Sequence, residues 1–234
     1  MRDIKKLFVF GCSLSDRTDV DHSYGDILKT IGNFDEYIHE GAGVGSNDRI
    51  YRKIYNYITN KTLTPKDTII IQLTQTFREE VISYSNNFEL LAVGKHNKVP
   101  INLREKYNEE YAIIRFKPFR APHGSKHEQD YFSLKESYFT NKEWSDEKHK
   151  QLFYALQTML LYNNIKNVII LLVDPYVKKD QYEIIKEYKN NVFETTIRKE
   201  HYLSHNDDRH YNQQGHQYLA EQLECFLNER NNVS

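Results

Sequence analysis

Three short apolar runs punctuate the chain: Ile4–Phe10, Thr68–Leu73 and Asn167–Val173. Each is nearly continuous and rich in β-branched or aromatic residues, the pattern of a strand covered on both faces by a parallel sheet's helices. Glu36–His39 reads as a fourth strand and Glu194–Arg198 as a weaker fifth. Between the strands, apolar positions recur at helical spacing. Tyr24–Ile31 is a short helix; Asp48–Ile58 aligns Ile50, Tyr51, Ile54, Tyr55 and Ile58; Glu147–Tyr162 aligns His149, Leu152, Phe153, Leu156, Met159 and Leu160. Gln213–Leu227 is the last helix, with Asn212 as its natural N-cap. Strand and helix alternate throughout, which predicts an α/β protein built as a three-layer α/β/α sandwich.

One stretch breaks the rhythm. From about Ser83 to Asn141 there is no clear period, and three of the five prolines fall there: Pro100, Pro118 and Pro122. So long an irregular segment is expected to be an insertion serving as a lid or substrate wall, not an inert loop. It carries Arg115, Lys117, Arg120, His123, Lys126 and His127 among Phe116, Phe119 and Tyr131. A solvated basic loop is the plain reading; contact with an anionic or carbohydrate substrate through Arg120 and His123 is the sharper one.

Composition sets bounds on this picture. At 234 residues, with 39% hydrophobic and 28% charged positions, one sizeable core suffices and residues 1–234 are expected to form a single domain. The formal charge of −1 gives no global field toward nucleic acid or an anionic membrane. No run approaches the roughly 18 apolar residues of a membrane span. Cys12 and Cys225 make neither a disulfide framework nor a zinc site, so two reduced thiols in a cytoplasmic protein are expected. Lys5-Lys6, then four apolar residues, then Gly11-Cys12 superficially imitate a lipidation signal, but that apolar stretch is far shorter than the roughly 7–15 residues required.

The candidate chemistry clusters where strands end, the place where ligands gather in open α/β sheets. Ser13 follows the first strand behind Gly11, Gly43-Val44-Gly45-Ser46-Asn47 follows the second, and Thr74-Gln75-Thr76 the third. Serine needs a base and an orienting carboxylate, and Asp207-Asp208-Arg209-His210 offers both. His210 would take the Ser13 proton and return it to the leaving group, while Asp207 would hold the imidazole in the needed tautomer. The Gly45-Ser46 turn opens a helix, so its N–H groups suit a developing oxyanion. His216 reads as a packing or capping residue, and Cys12 as a small buried thiol. Arg49 and Arg52, with Arg78-Glu79-Glu80, are expected to supply an Arg–Glu brace for the loops. The spacing of His201, His205, Asp207 and His210 fits no established metal-ligand pattern, so no metal is expected.

Phe10-Gly11-Cys12-Ser13-Leu14-Ser15 resembles the first block of the SGNH (GDSL) hydrolases, with Cys12 where Asp is commoner. Asp207-x-x-His210 matches their final block, Gly215-His216-x-x-Leu219-Ala220-Glu221 resembles the helix that follows it, and Gly43–Asn47 resembles a variant second block. The resemblance implies a flavodoxin-like five-stranded parallel sheet, a Ser-His-Asp site without cofactor, and esterase, lipase or acyltransferase activity. The third block departs. The family's Gly-x-Asn-Asp is absent, leaving the Gln75 amide or the Thr74 hydroxyl as the oxyanion donor. By analogy, the expected activity is hydrolysis of an O-acyl ester, foremost an O-acetyl group on a carbohydrate. An O-acetyltransferase with the same triad and a non-catalytic glycan- or partner-binding module are the alternatives. The expected partner is a small-molecule or glycan ester, not nucleic acid or membrane.

Overall fold

The computed structural model describes residues 4–15, 20–41, 46–74, 80–83, 112–115, 142–172, 191–195, 197–203 and 210–233. In chain order the elements are β1 (Lys6–Gly11), α1 (Tyr24–Ile31), β2 (Glu36–Gly41), α2 (Asn47–Thr59), β3 (Thr68–Gln72), β4 (Glu80–Ser83), β5 (Ala112–Arg115), α3 (Lys142–Tyr162), β6 (Val168–Leu172), β7 (Val192–Glu194) and α4 (Gln213–Val233). Short 3-10 turns occupy Ser13–Ser15 and Lys199–His201.

Five strands form one parallel sheet in the order β2-β1-β3-β6-β7. Counting only its own strands, that is the flavodoxin-like order 2-1-3-4-5. Side chains alternate between its faces, as the strand period requires. Phe8, Phe10, Ile69, Ile71 and Ile170 join Ile50 and Ile54 of α2 with Phe153 and Leu156 of α3. Leu7, Val9, Ile70, Ile169 and Leu171 join Tyr24 and Leu28 of α1 with Leu219 and Leu223 of α4. Leu7 through Phe10 are wholly buried, and each such side chain contributes roughly 1.5–3 kcal/mol. The two apolar layers on either side of one sheet make the α/β/α sandwich.

Local signals set the helix starts. Ser23 and Asp26 form a capping box at α1: Ser23 N donates to Asp26 Oδ2 at 2.9 Å, and Asp26 N to the Ser23 hydroxyl at 3.4 Å. Ser46 caps α2 by accepting from Arg49 N. Asn212 Oδ1 accepts from Gly215 N at 2.8 Å, capping α4 as the sequence predicts.

Two expectations need correction. The fifth strand is Val192–Glu194, not Glu194–Arg198. It pairs with β6 through Leu172, whose carbonyl accepts from Thr195 N at 3.3 Å, and Arg198 already accepts from His201 N in the next turn. Within the stretch read as irregular, Ala112–Arg115 is a strand, pairing antiparallel with Glu80–Ser83. The pairing is four residues long, too short for its Ile113–Ile114 core to stand out in a period analysis.

Candidate active site

The turn that carries Ser13 is built on glycine and buried serine. Ser15 N and the Ser15 hydroxyl both donate to Cys12 O, at 3.0 and 2.8 Å, folding Ser13–Ser15 back onto the end of β1. That return is close. A Cβ on Gly11 would overlap the Ser15 hydroxyl and lie 3.2 Å from Gln72 Cβ; one on Gly41 would lie 2.7 Å from the Ser15 hydroxyl and 3.1 Å from its carbonyl carbon. Ser15 thus sits between the glycines that end the two neighbouring strands β1 and β2.

Side chains from other elements fix the turn further. His39 Nε2 on β2 donates to Ser15 O at 2.7 Å, which requires that nitrogen to carry a proton. Beneath it, the fully buried Tyr24 donates its hydroxyl to Gln72 Oε1 at 3.0 Å. Burial drives the Tyr24 phenol well above its ordinary range, so it stays protonated and a donor. Gln72 Nε2 is buried without a hydrogen-bond partner among the described residues. Cys12 is buried and unbridged, and Cys225 is exposed and unbridged.

The first three residues of α2 each reach a different element. Asn47, wholly buried, exchanges two bonds with Thr74 just past β3: Nδ2 donates to Thr74 O and Thr74 N donates to Oδ1, both at 2.9 Å. Asp48 pairs with Lys148 of α3 at 3.1 Å. Arg49, 1% exposed, donates to Glu40 O at 2.8 Å and to Glu40 Oε2 at 3.3 Å. Glu40 also takes the Tyr57 hydroxyl at 2.6 Å and lies 3.5 Å from Lys53 Nζ. Burial and the adjacent Glu40 charge both push the Tyr57 phenol upward, so it too remains a donor. Arg49 thus forms an Arg–Glu pair, but with Glu40 at the end of β2; Arg78, Glu79 and the side chain of Glu80, where the sequence pattern put the brace, lie outside the described residues.

The C-terminal part arrives from the opposite end of the chain. Tyr202 and Tyr211 form an antiparallel bridge; Leu203 N donates to His210 O, and Asn212 N to His201 O, each at 2.9 Å. This ladder anchors the His210 backbone two residues before the Asn212 cap. Gln213 and His22 exchange bonds of 3.2 and 3.0 Å, and Tyr24 N donates to His216 Nδ1 at 3.0 Å. The N-terminus of α4 is thereby locked to that of α1. His216 stacks on Tyr24 and meets Tyr211 edge-on. Its role is the capping and packing one predicted. Burial lowers its pKa to about 4, Asp26 opposes that shift, and the neighbouring His210 adds to it.

The Ser13 turn, the Ser46–Asn47 start of α2, Thr74 and His210 all lie at the carboxyl edge of the sheet. Tyr24 ties the two parts together: its hydroxyl reaches Gln72 and the Ser15 end of the turn, and its amide and ring meet His216, whose pKa the nearby His210 lowers further. Ser46 uses its hydroxyl as a cap, and Thr74 has both backbone groups bound to Asn47. Gly45, Gln75, Arg120, His123 and Asp207, and the side chain of Ser13, lie outside the described residues. Sequence reasoning did not single out His39, Tyr24, Gln72 or Asn47. Gln72 alone left a trace, as one polar residue inside the apolar run Ile69–Leu73.

The sheet order, with helices on both faces, is the fold found in solved structures of the G-D-S-L family. Sequence comparison finds no matching family model and no matching curated protein. Among solved structures, the psychrotrophic esterase EstA from Pseudoalteromonas sp., inhibited by monoethylphosphonate, aligns with a TM-score of 0.52 at 10% identity, covering 97% of this chain and 98% of that one. The acetyl xylan esterase Est2A from the rumen bacterium Butyrivibrio proteoclasticus also gives 0.52, at 13% identity, over 98% of this chain and 65% of its own. A G-D-S-L family protein from Desulfitobacterium hafniense gives 0.50 at 11% identity, over 94% and 98%. No helix among the described residues is long and apolar enough to cross a membrane.

Proposed function

We propose that this chain is a serine esterase that removes an O-acyl group, foremost acetyl from a carbohydrate, through a Ser13 acyl-enzyme. The observation that supports the reading is that Tyr24 ties the end of the sheet beside the Ser15 turn to His216 in the first turn of α4, the two segments to which Ser13 and His210 belong. The acetyl xylan esterase among the fold's neighbours supports the choice of ester.

In this mechanism His210 accepts the Ser13 proton as Oγ attacks the ester carbonyl, and Asp207 orients the imidazole. The oxyanion receives N–H groups from the Gly45-Ser46 turn at the start of α2. Because the Thr74 amide is already committed to Asn47, the third donor falls to the Gln75 side chain or the Thr74 hydroxyl. Collapse expels the alcohol, which takes the proton from His210. Water then repeats the sequence on the acyl-enzyme, and Ser13 regains its proton. Arg120 and His123, from the 83–142 insertion, act as the substrate wall.

Labelling with a fluorophosphonate, read by mass spectrometry, is expected on Ser13 alone. Hydrolysis of p-nitrophenyl acetate is expected to fall by at least about 10³-fold in Ser13→Ala. Equal rates for the two proteins, or label at another serine, would overturn the assignment.

A further inference from the structure

We propose that Asn47 is a positioning residue of this site, holding Thr74, just past β3, and the start of α2 in one frame; the proposal rests on the esterase reading above. The two loops that supply oxyanion donors follow different strands, β2 and β3. Nothing in the sheet itself sets their mutual distance to the few tenths of an ångström that oxyanion binding demands.

Asn47 supplies that link. Its carboxamide is satisfied at both ends by one residue, Thr74, at 2.9 Å each way, with no exposure to solvent. A reciprocal pair of this kind fixes distance and orientation together, as a single bond does not. The helix start that bears Asn47 is itself held: Ser46 caps it, Asp48 reaches Lys148, and Arg49 reaches the end of β2. Thr74 therefore takes its position from α2. Asn47 touches no reacting atom. It acts through Thr74, where the SGNH pattern has an Asn that donates directly.

The test compares Asn47→Asp and Asn47→Ala with the parent protein on p-nitrophenyl acetate, with active sites counted by phosphonate titration. Asp keeps the shape and the acceptor for Thr74 N but sets a carboxylate oxygen against Thr74 O. Turnover per titrated site is expected to fall about 10–100-fold in both variants, with KM within about twofold, because the loss lies in the transition state. A merely structural role would lower the number of titratable sites and leave kcat per site unchanged; that result, in either folded variant, overturns the proposal. Parent activity that survives Ser13→Ala instead overturns the esterase reading, and the proposal with it.

Discussion

Protonating His216 should unfasten α4 from α1, and the effect is large enough to read as pH-dependent stability. Nδ1 of this buried ring accepts from Tyr24 N, so the folded state holds the imidazole neutral, with a pKa near 4 against an ordinary 6.5. Between those values the unfolded chain binds a proton that the native protein refuses, so stability rises with pH across the window. The contribution is intact above about pH 6.5 and lost as pH falls toward 4. By pH 5 it amounts to about 2 kcal/mol, and to about 3 kcal/mol once the native ring is also protonated. Other carboxyl groups titrate in the same range, so the assay is a difference. Urea unfolding of the parent and of His216→Asn, whose Oδ1 offers Tyr24 N an acceptor that does not titrate, is measured at pH 7 and pH 5. The parent should lose about 2 kcal/mol more than the variant. Parallel losses in the two proteins, or a parent more stable at pH 5, would refute the reasoning.

Gly11→Ala should cost about 1–3 kcal/mol in thermal or urea unfolding, because its Cβ meets the Ser15 hydroxyl. Adding Ser15→Ala should recover part of that loss, a non-additivity that a double-mutant cycle measures. Arg49→Met should cost about 3–5 kcal/mol, since it strips a buried cation from the half-buried Glu40. Arg49→Met combined with Glu40→Gln should lose less than the sum of the two single changes by chemical denaturation.

The central sheet was legible because β1, β3 and β6 are buried on both faces, and such strands are apolar at nearly every position. The α1 boundaries were equally plain, since Ser23 and Asp26 state the start and Gly32 follows the end. The fifth strand slipped because Val192–Glu194 is short and only partly buried, so the neighbouring Thr195-Thr196-Ile197 carried the stronger local pattern. Ser13, Ser46, Asn47 and Thr74 could be placed at one edge from strand order, and His210 from its Asp-x-x-His pattern. The roles of Asn47 and His39 could not be read, for they consist of bonds to Thr74 and Ser15, 27 and 24 residues away. No local period encodes such partners.

The lock between His22, Tyr24, Gln213 and His216 joins positions some 191 or 192 residues apart. Its consequence concerns synthesis. A ribosome releases β1 and its serine turn early, but the face of the sheet bearing Leu7 and Val9 is covered only in part, by α1, until α4 emerges and docks. Contacts of such long sequence separation close late. The nascent chain therefore carries most of its sheet before it can lock His216 against Tyr24, and the segment bearing His210 takes its place only when α4 docks.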